Sequence, residues 1–148
     1  MPLYREVKML YKISLRTASA LCIAHAAFHQ LGASQAPADP EEVALIAAMS
    51  NFRMDIMGSV RSYMDLFSGM GVFETAMFVG LSVLLWQLSN MHGEAKRGVR
   101  PLLATIAITF LVFAVISIRY FFVVPVAMEA LIAASVAAAF FASGRHVA

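Results

Sequence analysis

The chain of 148 residues holds one cysteine, Cys22. A lone thiol excludes an internal disulfide and Cys-x-x-Cys redox chemistry, and with them the four-helix membrane thiol oxidoreductases. Charge is scarce too: 14% of residues are Asp, Glu, Lys or Arg, against about 25% in ordinary soluble domains. A net charge of +2, with no basic run carrying interleaved aromatics, excludes nucleic acid as a partner. No His-Glu-x-x-His pattern is present, so no metal is assigned, and no motif indicates a cofactor.

What the chain has in quantity is apolar sequence. Hydrophobic residues make up 61% of it, and the mean hydropathy is +0.77. Between residues 102 and 141 the only formal charges are Arg119 and Glu129. One crossing needs about 20 apolar residues, so that run covers two crossings and a tight turn.

Four spans are predicted, at about residues 15–31, 63–88, 101–121 and 126–141. Gly32 to Glu42 reads as a loop, and a helix starts after Pro40 with Glu41 and Glu42 in its first turn. Residues 41–57 are amphipathic and carry Arg53 and Asp55, which puts that helix at the membrane interface. Trp86 suits an interfacial anchor, and Pro101 suits a helix start. The expected fold is all-α: one domain, an integral membrane bundle of four transmembrane helices with an interfacial helix after the first span.

Basic residues set the expected orientation. Arg5, Lys8, Lys12, Arg16, Lys96, Arg97, Arg100 and Arg145 fall on one side, Arg53, Arg61 and Arg119 on the other, eight against three. That bias puts both termini in the cytoplasm of a cell with the protein in its inner membrane. A cleaved signal peptide is the competing reading of the first segment, whose basic flank and Ala-Ser-Gln-Ala ending resemble one. Two histidines in the apolar part, and the odd number of spans left behind, argue against it.

With this orientation most intramembrane polar groups fall in the outer half of the bilayer. Cys22, His25 and His29 share one helical face. Arg61 and Asp65 stand four apart, in pairing reach on a helix. Arg119 ends the third span and Glu129 opens the fourth, where they can pair with each other. Glu74 lies deepest, nine residues beyond Asp65, and a regular helix puts the two on opposite faces. The Ser68-Gly69-Met70-Gly71 stretch either bends the span or admits a neighbouring helix. Each group has a plainer reading as well. His25 and His29 can hydrogen-bond across the bundle, or bind zinc with Glu74 or Glu129. Bis-histidine haem is rejected, because His92 and His146 lie outside the spans. The arginines and aspartates can form a structural charge network.

The segment from Arg53 to Gly71 (R-M-D-I-M-G-S-V-R-S-Y-M-D-L-F-S-G-M-G) and the Arg119-Tyr120-Phe121-Phe122-x-x-Pro125 turn resemble a family of small bacterial four-span membrane proteins. Those proteins share a His-rich first span and an R-x-D-x-M-G-S-x-R-S-x-x-D entry to the second. Leu66 replaces their usual aromatic, and Met70 a frequent Phe. The resemblance implies a four-helix membrane fold and a bacterial origin, and it brings no activity.

These features predict an outward-facing polar cavity for a lipophilic small molecule, with the lipid bilayer as surrounding partner and a homo-oligomer as an open question. Phe28, Phe67, Phe73 and Phe78 are its expected walls. His25, Asp65 and Glu74 are the candidate catalytic groups for acid–base isomerisation or cyclisation; His29, Arg53, Asp55, Arg61, Arg119 and Glu129 are the candidate binding groups. Whether the chain is an enzyme stays open at this stage. The alternative is a non-catalytic structural or accessory subunit that uses its polar groups for helix packing. A proton or ion path ranks last, because the inner halves of the last two spans offer only Thr105, Thr109, Ser135 and Ser143.

Overall fold

The computed structural model describes residues 2–91, 95 and 98–144. Lys96, Arg97 and Arg145 of the charge count, and His92 and His146, lie outside the described residues. The elements in order are α1 (Pro2–Ala33), α2 (Pro40–Asn51), β1 (Arg53–Ile56), β2 (Ser59–Ser62), α3 (Tyr63–Leu88), α4 (Arg100–Tyr120) and α5 (Val123–Gly144). The fold is thus helical, with one short hairpin that the sequence reading did not foresee.

Helices α3, α4 and α5 are long and apolar enough to cross a membrane. Helix α1 is long enough but does not join them, since His25, His29 and Gln30 interrupt its apolar half. Only 17–33% of each apolar window is buried inside the protein. Much of the remainder, including Val83, Val112, Val115, Ile118 and Leu131, is exposed. Soluble monomers rarely show apolar patches of that extent, so this is a helical membrane protein.

The chain gathers into two compact units, Met1–His25 with Phe78–Ala148, and Ala26–Met77. In the first, α4 and α5 pack along each other, joined by a short turn. Leu103, Ala107, Phe110, Ala114 and Ser117 form the buried stripe of α4, and Ile132, Val136, Ala139 and Ser143 that of α5. Alternating steps of three and four residues keep each stripe on one face. On α1 the buried face is Tyr11, Leu15, Ala18, Cys22 and His25. The His25 ring stacks on Phe78, with centroids 4.1 Å apart and planes at 14°. Phe78 meets Phe110 at 6.0 Å, and Phe110 meets Phe113 edge-on at 5.8 Å. Polar contacts join α1 to α3 as well. Tyr11 Oη donates to the Leu88 carbonyl at 3.0 Å. Ser19 Oγ donates to the Ser82 carbonyl and Ser82 Oγ to that of Ser19, each at 2.9 Å. Both serines are buried, and their hydroxyl oxygens also lie 2.9 Å apart.

The second unit opens α2 as the sequence predicts. Asp39 caps it, accepting from the Glu42 amide at 2.8 Å, and the Glu42 carboxylate accepts from the Ala38 amide at 2.7 Å. That reciprocal pair is a capping box shifted by one residue at its return arm, with Pro40 in the first turn where its missing N–H costs nothing. The expected continuation to residue 57 fails. Phe52 is extended (φ −75°, ψ 106°), and its amide returns to the Ala48 carbonyl to close the helix at Asn51. Residues 53–62 form an antiparallel hairpin that pairs Arg53 with Ser62 and Ile56 with Ser59.

Met57 (φ 53°) and Gly58 (φ 84°) make its two-residue turn, both left-handed as a type I′ loop requires. Asp55 Oδ1 accepts from the Gly58 amide at 2.8 Å and holds the turn. The usual Asn-Gly or Asp-Gly signal is absent, which hid the hairpin among helical apolar residues. Replacing Gly58 by alanine is expected to destabilise the hairpin by about 1–2 kcal/mol, the cost of a left-handed L-residue. Amide hydrogen exchange across residues 53–62 should rise while that of α4 and α5 stays constant.

Candidate functional site

The second unit carries an open cleft of about 760 Å³ along α3 and the end of β2, bordered by Arg61, Asp65, Leu66, Gly69, Met70, Phe73, Glu74 and Met77 among others. Helical geometry explains why both acids reach it. Asp65 and Glu74 are nine residues apart, and at about 100° per residue they lie on opposite sides of α3. Leu66, Gly69, Met70, Phe73 and Met77 all fall on one side between them, at about 40° to 140° from Asp65 by the same count. The acids therefore flank an apolar strip. No bend is needed, and α3 is helical without interruption from Tyr63 to Leu88.

Glycine does two different things here. Gly69 has open space around it, on the cleft floor. At Gly71 an added Cβ would come within 3.1 Å of His29 Cε1, so the missing side chain admits the imidazole. That close approach brings α1 and α3 into polar contact. His29 Nε2 lies 3.5 Å from Glu74 Oε2, and both side chains are half-buried. His29 Nδ1 lies 3.3 Å from Thr75 Oγ1, and Gln30 Nε2 donates to the same oxygen at 2.7 Å.

The hydroxyl decides the tautomer. Thr75 Oγ1 has one proton and gives it to the Gly71 carbonyl at 3.0 Å. Toward Gln30 and His29 it is therefore an acceptor, which requires the Nδ1–H form of His29. Nε2 is then the nitrogen that faces Glu74.

Asp65 is engaged differently. Its Oδ2 accepts from the Ser62 amide at 2.8 Å, while its own amide donates to Ser62 Oγ at 3.0 Å. This is a capping box that starts α3, worth about 1 kcal/mol. The expected helical pairing of Arg61 with Asp65 is corrected. Arg61 lies in β2, not in a helix, and its Nη1 donates to the Val60 carbonyl at 2.9 Å.

Of the sequence-predicted residues, Arg61, Asp65 and Glu74 border one cleft, with His29 on Glu74. Arg53 and Asp55 are in β1, and Asp55 holds the turn. His25, Arg119 and Glu129 belong to the first unit, where His25 and Glu129 are buried and Arg119 is exposed at the end of α4. Of the expected aromatic walls only Phe73 borders the cleft; Phe28 and Phe67 are exposed elsewhere, and Phe78 is buried under His25. Gln30 and Thr75 escaped the sequence reading. Their signal was their position, each directly following a titratable residue inside an apolar run. Among the described residues no group of three or more His, Cys, Asp and Glu side chains is gathered to hold a metal ion. No protein family, curated protein or solved structure matches the chain, so the chemistry of this cleft rests on its own residues.

Proposed function

We propose that the cleft along α3 binds a lipophilic small molecule with a polar end, in a protein embedded in the bacterial inner membrane. The body of the ligand lies along Leu66, Met70, Phe73 and Met77, and its polar end meets Glu74 and His29. The observation that carries this reading is the approach of His29 to Glu74, 3.5 Å apart, at the edge of an apolar strip long enough for such a molecule. In this reading α1 is a fourth crossing, both termini are cytoplasmic, and α2 with the hairpin lies at the outer boundary. Acid–base isomerisation or cyclisation is the reaction class the cleft supports, with Glu74 as acid and His29 or Asp65 as candidate bases.

A second reading, a non-catalytic accessory subunit, is favoured by the Ser19–Ser82 contacts and the Ser62–Asp65 box, where polar groups close on one another. Native mass spectrometry separates the two. The protein released from mild detergent should carry a small-molecule adduct that Glu74→Gln loses and Asp55→Asn keeps. An adduct-free wild type, with unfolding unchanged by Glu74→Gln, would support the accessory reading.

A further inference from the structure

Away from the cleft, the first unit seats two arginines on aromatic rings. Arg16 on α1 lies over the Trp86 ring of α3, its guanidinium carbon 4.4 Å from the centroid. Arg100, at the start of α4, lies over the Phe140 ring of α5 at 4.6 Å. Gly144 completes the second seat. A Cβ added there would come within 2.5 Å of Arg100 Nη1 and 2.9 Å of Nη2, so the missing side chain makes room for the guanidinium. Both seats lie at one end of the unit. Tyr11 reaches Leu88 and Ser19 meets Ser82, which sets Arg16 beside the last turns of α3. The chain between two crossings lies on one side of a bilayer, so the end of α3 and the start of α4 share that side.

Neither cation is neutralised. Among the described residues, neither guanidinium has a carboxylate partner or donates a hydrogen bond. Nε of each is enclosed without a partner. Stacking engages the flat face of the group and leaves its terminal amino edge unused. A planar fork of that kind matches the oxygens of a phosphate. The surrounding charge has the same sign: of the described residues at this end, Arg5, Lys8 and Lys12 add to it and Glu6 alone opposes it. Beside helices of lipid-spanning length, the phosphate within reach is that of a headgroup, and uncompensated positive charge selects a net-negative one over a zwitterionic one. We propose that this end of the bundle binds acidic phospholipid, with Arg16 on Trp86 and Arg100 on Phe140 as seats for headgroup phosphate. Under the orientation proposed above, that is the cytoplasmic leaflet. No residue of the cleft takes part.

Trp86 is the single tryptophan of the chain and is exposed, so its fluorescence reports the first seat directly. The full-length protein is reconstituted in phosphatidylcholine, and brominated phosphatidylglycerol or brominated phosphatidylcholine of the same chain length is added as a contact quencher. The acidic lipid should take the place beside Trp86 with a preference of about fivefold, the usual contribution of one arginine near a membrane surface. Arg16→Gln should bring the two lipids level. Lys8→Gln, which removes an exposed charge from the same helix, should keep most of the preference. Native mass spectrometry reads the second seat. Arg100→Gln, and Gly144→Ala with its added methyl displacing the guanidinium, should each lower retained phosphatidylglycerol by about fivefold and leave phosphatidylcholine unchanged. If Arg16→Gln does not fold, the wild-type preference at Trp86 decides alone. Equal quenching by the two lipids in the wild type, or a full preference in Arg16→Gln, would overturn the site. So would displacement of the acidic lipid by inorganic phosphate, which would assign the seats to a soluble anion. Each of these outcomes leaves lipophile binding in the cleft standing.

Discussion

Truncating Phe110 to alanine is expected to lower the unfolding free energy by about 3–5 kcal/mol, the usual range for a buried aromatic. Phe110 is fully buried on α4, between Phe78 on one side and Phe113 on the other. In a membrane the hydrophobic transfer term between helices is weak, so most of this cost is lost dispersion contact. The effect should extend one residue further. Phe78 supports the stacked His25 ring, and a cavity at position 110 leaves Phe78 without its backing. Thermal unfolding in detergent, with circular dichroism as readout, measures the loss. A fall of less than about 1 kcal/mol would mean that the aromatic row does not hold α1, α3 and α4 together.

Enlarging Ser82 to leucine is the second severe change. Ser19 and Ser82 exchange hydrogen bonds with each other's carbonyls at 2.9 Å, a distance that puts the two backbones in close approach. Small residues at helix contacts permit this, and a branched side chain forces the helices apart. Overpacking costs about 1–3 kcal/mol, and each interhelical bond lost adds roughly 0.6 kcal/mol on average in a membrane. Ser82→Ala should therefore be mild and Ser82→Leu strongly destabilising. Equal effects of the two would show that the hydroxyl, and not the space, sets the contact.

Three of the four predicted spans were legible because each is a long apolar run with a clear stop. The predicted limits 63–88 coincide with α3, and Pro101 and Pro125 lie at the starts of α4 and α5. The hairpin was not legible. Arg53 to Ser62 alternates too weakly to announce a strand pair, and its left-handed turn uses Met57, a residue that rarely adopts that conformation. That one miss propagated into the site: a strand at Arg61 removes the helical partnership with Asp65 and turns the aspartate into a cap. Glu74 and His29 were legible as costly polar groups in apolar sequence. Their partnership was not, because it depends on Gly71 admitting the imidazole, a contact between residues 42 positions apart. Gln30 and Thr75 were hidden because a neutral polar residue in a helix carries no signal until its partner across the helix pair is known.

Everything proposed for the cleft depends on His29 being held against Glu74 and Thr75 in one tautomer. Nitrogen NMR of protein labelled with ¹⁵N-histidine, in lipid nanodiscs and with His29 assigned through His29→Gln, reads that tautomer directly. A proton on Nδ1 is the expected result, coupled to Glu74 through Nε2 and reverting to the ordinary Nε2–H tautomer in Thr75→Val. An Nε2–H signal in the wild type, unmoved by either Thr75→Val or Glu74→Gln, would contradict the pairing.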